Sequence, residues 1–213
     1  MSKTRNTITI FPETAMPDGD WWQALWSQPR KVLVDLGIEP EMRVIDLCCG
    51  DGFFTAPLAA MARQVVAIDL DPDMVLRAQA RIAAARVTNC TFVVGDAYDI
   101  AKLASEPADF VLLANILHGV PQKERLVRAV FDALKAGGRV GVINWHDRSR
   151  EETIILGQPR GPRTDIRMKP TDVATAFKPA GFGLMRVIEL PPYHYGAIFE
   201  KPITNSQRGY EKD

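Results

Sequence analysis

The chain has 213 residues, of which 46% are hydrophobic and 24% charged, the size and make-up of one globular domain with a central sheet and covering helices. Its 26 basic and 26 acidic side chains cancel, so no overall positive field draws it to nucleic acid or to an anionic membrane. No apolar run approaches the ~20 residues needed to span a bilayer, and residues 1–11 are too polar for a secretory signal, so the cytoplasm is the expected location.

In chain order, residues 1–20 are polar and turn-rich, with Pro12, Pro17 and Gly19 as breakers, and read as a flap. Asp18 or Asp20 can cap a lead-in helix whose apolar face is Trp22, Leu25, Trp26, Val32, Leu33 and Leu36. It is interrupted or kinked near Pro29 and stopped at Gly37. Short apolar runs at 44–47, 65–68, 91–94, 110–114 and 140–143 then read as strands. The helical patterns between them lie at 53–61, 72–85, 100–104 and 122–134. Such alternation predicts parallel strands joined by right-handed crossovers. A polar loop over 144–169, a capped helix over 171–179 and two extended runs at 184–190 and 195–199 close the domain as a hairpin. Residues 201–213 lack apolar periodicity and are expected to fray. The division is therefore a flap and lead-in helix over 1–42, a main domain over 43–200 and a polar tail over 201–213.

The three cysteines, adjacent Cys48 and Cys49 plus Cys90, have neither disulfide nor zinc spacing, so free thiols and no metal are expected. Two of them fall in the most informative segment, Val44-Ile45-Asp46-Leu47-Cys48-Cys49-Gly50-Asp51-Gly52, a strand running into a glycine turn. Glycines there permit positive φ and close backbone approach around a ligand. Carboxylates on both sides of the glycines oppose a dinucleotide pyrophosphate, which wants exposed amides and no nearby negative charge. The next two strands also end in aspartate, at Asp69 and Asp96. A carboxylate at the first position can accept ribose hydroxyls, and one at the second is placed for an adenine amino group. Each aspartate alone also fits a helix cap or turn, but three successive strands ending this way point to a ligand.

The run from Asp46 to Gly52 resembles the acidic-x-Gly-x-Gly-x-Gly motif of class I S-adenosylmethionine-dependent methyltransferases, with Cys48 in place of the first glycine. Asp109-Phe110-Val111-Leu112 and Leu134-Lys135-Ala136-Gly137-Gly138 support the resemblance, which covers residues 44–199 in element order. It implies an α/β, Rossmann-like three-layer sandwich with a seven-stranded, mostly parallel sheet and an antiparallel last strand. It also implies S-adenosylmethionine as cofactor and S-adenosylhomocysteine as product. Cofactor contacts are implied at Asp46, Cys48, Gly50, Gly52, Asp69 and Asp96, with Leu70 and Ala97 flanking the adenine and Asn115 beside the methionine part.

A sulfonium already makes its methyl electrophilic, so alignment of the nucleophile is the main requirement and a base is optional. His118 and His146 leave the carboxyl edge after the fourth and fifth strands and are the candidate bases, against structural roles for each. Trp145 beside His146 reads as a pocket rim or as sheet-edge packing. Arg160, Arg163 and Arg167 offer paired donors for an anionic small acceptor, or form a solvated loop with neighbouring acids. Trp21, Trp22 and Trp26 either cover an apolar substrate or simply pack. No Asn-Pro-Pro-Tyr-like tetrapeptide and no Pro-Cys pair is present, which weakens nucleobase methylation. The expected partner is a small-molecule acceptor, with no nucleic acid and no membrane span. A homodimer, a macromolecular acceptor, a noncatalytic cofactor-binding or regulatory module and a nicotinamide-dependent enzyme remain open alternatives.

Overall fold

The computed structural model describes residues 11–203, so residues 1–10 of the flap and 204–213 of the tail lie outside the described residues. The lead-in helix is two helices, α1 (Gly19–Leu25) and α2 (Pro29–Leu36). The break falls where Pro29 takes the first turn of the second helix, a position at which its missing N–H costs nothing. Gly37 ends α2 at φ 91°, a left-handed cap that favours glycine.

The main domain then alternates: β1 (Arg43–Leu47), α3 (Thr55–Ala59), β2 (Gln64–Asp69), α4 (Pro72–Ala84), β3 (Cys90–Val94), α5 (Ile100–Leu103), β4 (Ala108–Ala114), α6 (Lys123–Ala133) and β5 (Leu134–Trp145). β1 is buried at every position, as expected of a parallel strand covered on both faces. α4 starts cleanly because the Asp71 carboxylate accepts the Asp73 amide at 2.8 Å and Pro72 occupies the first turn. α3 begins later than its apolar pattern because Gly52, at φ 82°, keeps the preceding residues in a turn.

After β5 the loop over 144–169, expected to be irregular, carries a small ribbon of β6 (Ile154–Ile155) and β7 (Gln158–Pro159). Two-residue arms, one ending in proline, leave no alternating pattern to read. Leu156 and Gly157 both adopt positive φ at its tip, 49° and 74°, the twist that a two-residue hairpin needs. α7 (Pro170–Phe177), β8 (Gly183–Leu190) and β9 (His194–Glu200) complete the chain.

The seven-stranded sheet has the order β3-β2-β1-β4-β5-β9-β8. β1 to β5 are parallel, and β9 inserts antiparallel between β5 and β8. Side chains alternate between the two faces. Ile45 and Leu47 join a core with Leu126, Val130 and Phe177 of α6 and α7, while Val44 joins one with Leu33, Leu36 and Leu58 of α2 and α3. Helices therefore cover both faces, a three-layer sandwich. Strand order reverses between β1 and β4, and ligands in open sheets of this kind bind outside the carboxyl ends of the strands at that point. Among the described residues no helix is long and apolar enough to cross a membrane.

Candidate active site

A cavity of about 1340 Å³ opens at this reversal. Its floor is the glycine turn leaving β1. Cys48 sits at φ 60° and Gly50 at φ 55°, so the position where the resemblance has its first glycine does require the left-handed conformation, and a cysteine holds it. Gly50 lines the cavity, and a Cβ there would lie 2.9 Å from the Met16 sulfur. Gly52 does not line it. A Cβ at Gly52 would lie 2.9 Å from the Cα of Ala78, so this glycine lets the turn pack against α4.

Three carboxylates stand at successive strand ends. Asp46 is buried and accepts the Thr55 hydroxyl at 2.6 Å. Burial pushes its pKa up to about 7, the Thr55 hydrogen bond opposes this, and the negative charge of Asp69 adds to it. Asp69 accepts the Gly50 amide at 2.8 Å through one oxygen and the Asp71 amide at 2.9 Å through the other. Its pKa is also raised, chiefly by burial. Each oxygen keeps a lone pair for a ligand. Asp96 accepts the Tyr98 amide at 2.9 Å, and Leu70 and Ala97 line the cavity beside these carboxylates. Asp51 behaves differently, pairing with Arg81 of α4, so the negative potential facing the cavity comes mainly from the strand-end aspartates. The Thr55 partner was not anticipated; a hydroxyl at the helix start after the turn was the available signal.

After β4, Asn115 adopts φ 60° and both polar atoms of its side-chain amide are buried with no hydrogen-bond partner among the described residues. Two orphaned amide atoms at a cavity wall mark a place for a polar ligand group. His118 lines the same wall, and each ring nitrogen faces an acceptor, so the neutral ring donates its single N–H to one of the two. The Asn144 Nδ2 donates to the Tyr195 hydroxyl at 3.4 Å, which donates to the Met168 carbonyl at 2.8 Å. That orientation turns the Asn144 carbonyl oxygen to the His118 Nδ1 at 3.2 Å, while Nε2 faces the Glu13 carbonyl oxygen, also at 3.2 Å. Burial holds the His118 pKa below its ordinary value, the two acceptors opposing it. Residues 11–19 line the cavity throughout, and Gly119 lets them approach, since a Cβ there would collide with the Pro12 carbonyl oxygen. His118 thus binds this covering segment, a contact to a backbone carbonyl that has no sequence signature.

Trp21, Trp22, Phe53, Trp145 and Arg160 add an aromatic and cationic lining, with Trp145 at the end of β5 on the side away from β2 and β3. The tryptophans pack and line the cavity at once, except Trp26, which lies in the core against His194 with ring centroids 4.5 Å apart. Only one of the three arginines singled out in the loop sequence reaches this wall. Arg160 places its guanidinium 5.3 Å from the Trp21 ring centre. Arg163 lies on the surface, paired with Asp165 at 3.3 Å. Arg167 is buried, with its donors directed to the carbonyls of Pro162, Arg148 and Arg160 and to the Thr153 hydroxyl. It shapes the loop instead of reaching the cavity. His146 also points elsewhere, meeting the Glu189 carboxylate of β8 at 2.9 Å across the intervening β9. Arg150, not anticipated, lines the cavity. Nothing in its local sequence sets it apart from the other loop arginines.

Strand-end carboxylates with no ion-pair partner among the described residues, the orphaned Asn115 amide and a wide cavity form a set that fits an adenosyl sulfonium and not a pyrophosphate. A family model described as a methyltransferase domain matches residues 44–138. The chain is similar to the tRNA 5-carboxymethoxyuridine methyltransferase of Escherichia coli O157:H7, 29% identical over 184 residues, which are 80% of this chain and 70% of that protein. It is similar to the uncharacterized methyltransferase sll0829 of Synechocystis sp., 30% identical over 161 residues, covering 72% of this chain and 73% of that one. Its fold is similar to the crystal structure of a SAM-dependent methyltransferase from Aquifex aeolicus, with a TM-score of 0.73, 22% identity, and coverage of 86% of this chain and 93% of that chain. The Synechocystis relative, aligned over more than two thirds of both sequences, and the matched domain agree with the charge and position of the cavity: this chain belongs to the class I S-adenosylmethionine-dependent methyltransferases.

Proposed function

We propose that the protein moves the methyl group of S-adenosylmethionine to a small-molecule acceptor seated between Asn115 and the Arg160 loop, releasing S-adenosylhomocysteine. The observation that supports this most is the polarity split in the lining of one cavity, with Asp46, Asp69 and Asp96 set against Trp145 and Arg160. At about 1340 Å³ it exceeds the roughly 300–1,000 Å³ of an ordinary ligand pocket and has room for two molecules. The segment at 11–19 lines its whole length and narrows access, which favours a small acceptor.

In this reading Asp69 accepts the ribose hydroxyls and Asp96 the adenine amino group, with Leu70 and Ala97 against the adenine faces. Asp46, Cys48, Gly50 and Asn115 surround the methionine part, and Gly52 serves by keeping the turn close to α4. When bound, the sulfonium supplies an electrophilic methyl. The remaining task for the protein is to hold the nucleophile at about 3–3.5 Å in line. His118, which faces the Glu13 carbonyl through Nε2, is assigned to holding the covering segment, and no side chain is assigned as base.

The test is calorimetric titration with S-adenosylmethionine and S-adenosylhomocysteine, with NAD as control and Asp69→Ala as the site variant. Both adenosyl ligands should bind, NAD should not, and the variant should lose binding at least tenfold. NAD binding in their place would refute the assignment.

A second reading has one observation in its favour, the similarity to a relative named as a tRNA methyltransferase. It makes a tRNA nucleoside the acceptor. Incubation of a cell extract with methyl-labelled cofactor separates the two, since label appears either in the low-mass fraction or in tRNA.

A further inference from the structure

The acceptor end of the cavity carries features that a generic apolar pocket does not need. The Arg160 guanidinium lies 5.3 Å from the Trp21 ring centre, and its Nε is buried with no hydrogen-bond partner among the described residues. Among the described residues no carboxylate lies within ion-pair distance of Arg160, whereas Arg163 nearby has Asp165. Its neighbour Gly161 fits only because it lacks a Cβ, which would come within 3.0 Å of three atoms of the Trp145 ring. The loop is therefore pressed onto Trp145, and Trp21, Arg160, Gly161 and Trp145 make one continuous wall. Arg150, whose Nε donates to the Gly161 carbonyl at 3.0 Å, adds a second positive charge beside it.

An unpaired guanidinium in partial burial seeks an anion, and its planar fork matches a carboxylate through two parallel hydrogen bonds. The tryptophan under it holds the fork in one plane before a ligand arrives, reducing the entropy lost on binding. The aromatic surfaces next to the cation suit a flat apolar body. The aspartates after β1, β2 and β3 repel the same anion, which directs the anionic end of a ligand toward Arg160.

We infer that the acceptor is a flat, aromatic or otherwise apolar molecule bearing a carboxylate, that Arg160 with Arg150 grips the carboxylate as a handle, and that Trp21 and Trp145 hold the flat body. The inference rests on the methyltransferase reading of the same cavity and adds the acceptor class to it. The handle makes Arg160 a specificity residue, distinct from the groups around the cofactor.

The test uses the full chain saturated with S-adenosylhomocysteine, titrated by calorimetry and ligand-observed NMR with benzoate and indole-3-acetate and with their amides. At least one acid should bind at least tenfold more tightly than its amide. Arg160→Met, which keeps the apolar stem, should abolish that preference while leaving S-adenosylhomocysteine binding within twofold. Arg150→Met should reduce the preference less, and Arg163→Met should leave it unchanged. Equal binding of acids and amides, no binding of either acid, or an Arg160→Met variant that keeps the preference overturns the inference while the cofactor assignment stands. Failure of S-adenosylhomocysteine to bind overturns the cofactor assignment and this inference with it.

Discussion

Thr55 donates its hydroxyl to the Asp46 carboxylate at 2.6 Å, in a position where both residues are shut off from solvent. The strand end and the first residue of the following helix are thereby tied across the glycine turn. A buried carboxylate with one neutral donor is under-compensated, and its pKa rises to about 7 from an ordinary 3.8.

A sign for pH dependence follows. The folded chain keeps a proton on Asp46 that the unfolded chain releases near pH 3.8, so this group's contribution is full below that pH, falls as pH rises toward 7, and is gone above it. The slope is at most about 1.4 kcal/mol per pH unit. Urea unfolding of the ligand-free protein at pH 5 and pH 8 should show the wild type losing ground to Asp46→Asn at the higher pH. Parallel behaviour of the two proteins would mean that Asp46 does not titrate in this range.

The left-handed Cys48 yields a reversal of the usual residue ranking. At an ordinary position alanine is more stabilising than glycine, whereas at φ 60° a Cβ costs about 1–2 kcal/mol. Cys48→Gly should therefore be more stable than Cys48→Ala by about 1 kcal/mol, a difference of a few degrees in thermal unfolding. Cys48→Val, with a branched side chain in the same conformation, should be the least stable of the three.

Gly119 controls the covering segment. A methyl group there collides with the Pro12 carbonyl oxygen and also meets the Thr14 side chain at 2.7 Å. Gly119→Ala should displace residues 11–16, exposing them to limited proteolysis and weakening S-adenosylhomocysteine binding about tenfold. The melting temperature should change little, because the segment lies outside the sheet. Unaltered proteolysis would show that the segment is not held by this contact.

Arg167 and Arg163 should separate cleanly by stability. Truncating Arg167 strands the carbonyls of Pro162, Arg148 and Arg160 and the Thr153 hydroxyl in or near the loop interior. Each buried group left unsatisfied costs about 1–3 kcal/mol, reduced where water can reach it. Arg167→Met should lower stability by about 2–4 kcal/mol. Arg163→Met removes an exposed pair worth less than about 1 kcal/mol and should be nearly silent. Chemical denaturation of the two variants measures the difference.

The sequence by itself determined the alternation of strands and helices and the placement of Asp46, Asp69 and Asp96 at strand ends. Parallel strands covered by helices read as short apolar runs, so their carboxyl ends are legible, and Asp46 one residue before the end of β1, Asp69 at the end of β2 and Asp96 just past β3 fall along the same edge. The tertiary structure alone decided which loop arginine enters the cavity, because Arg150, Arg160, Arg163 and Arg167 stand in similar local contexts and the packing of Gly161 on Trp145 selects among them. It also decided that His118 meets the Glu13 carbonyl and that His146 turns to Glu189. Periodicity records which face of an element is buried. It does not record which distant group lies opposite, and a contact to a backbone carbonyl can be made by any residue type, so only the folded chain reveals it.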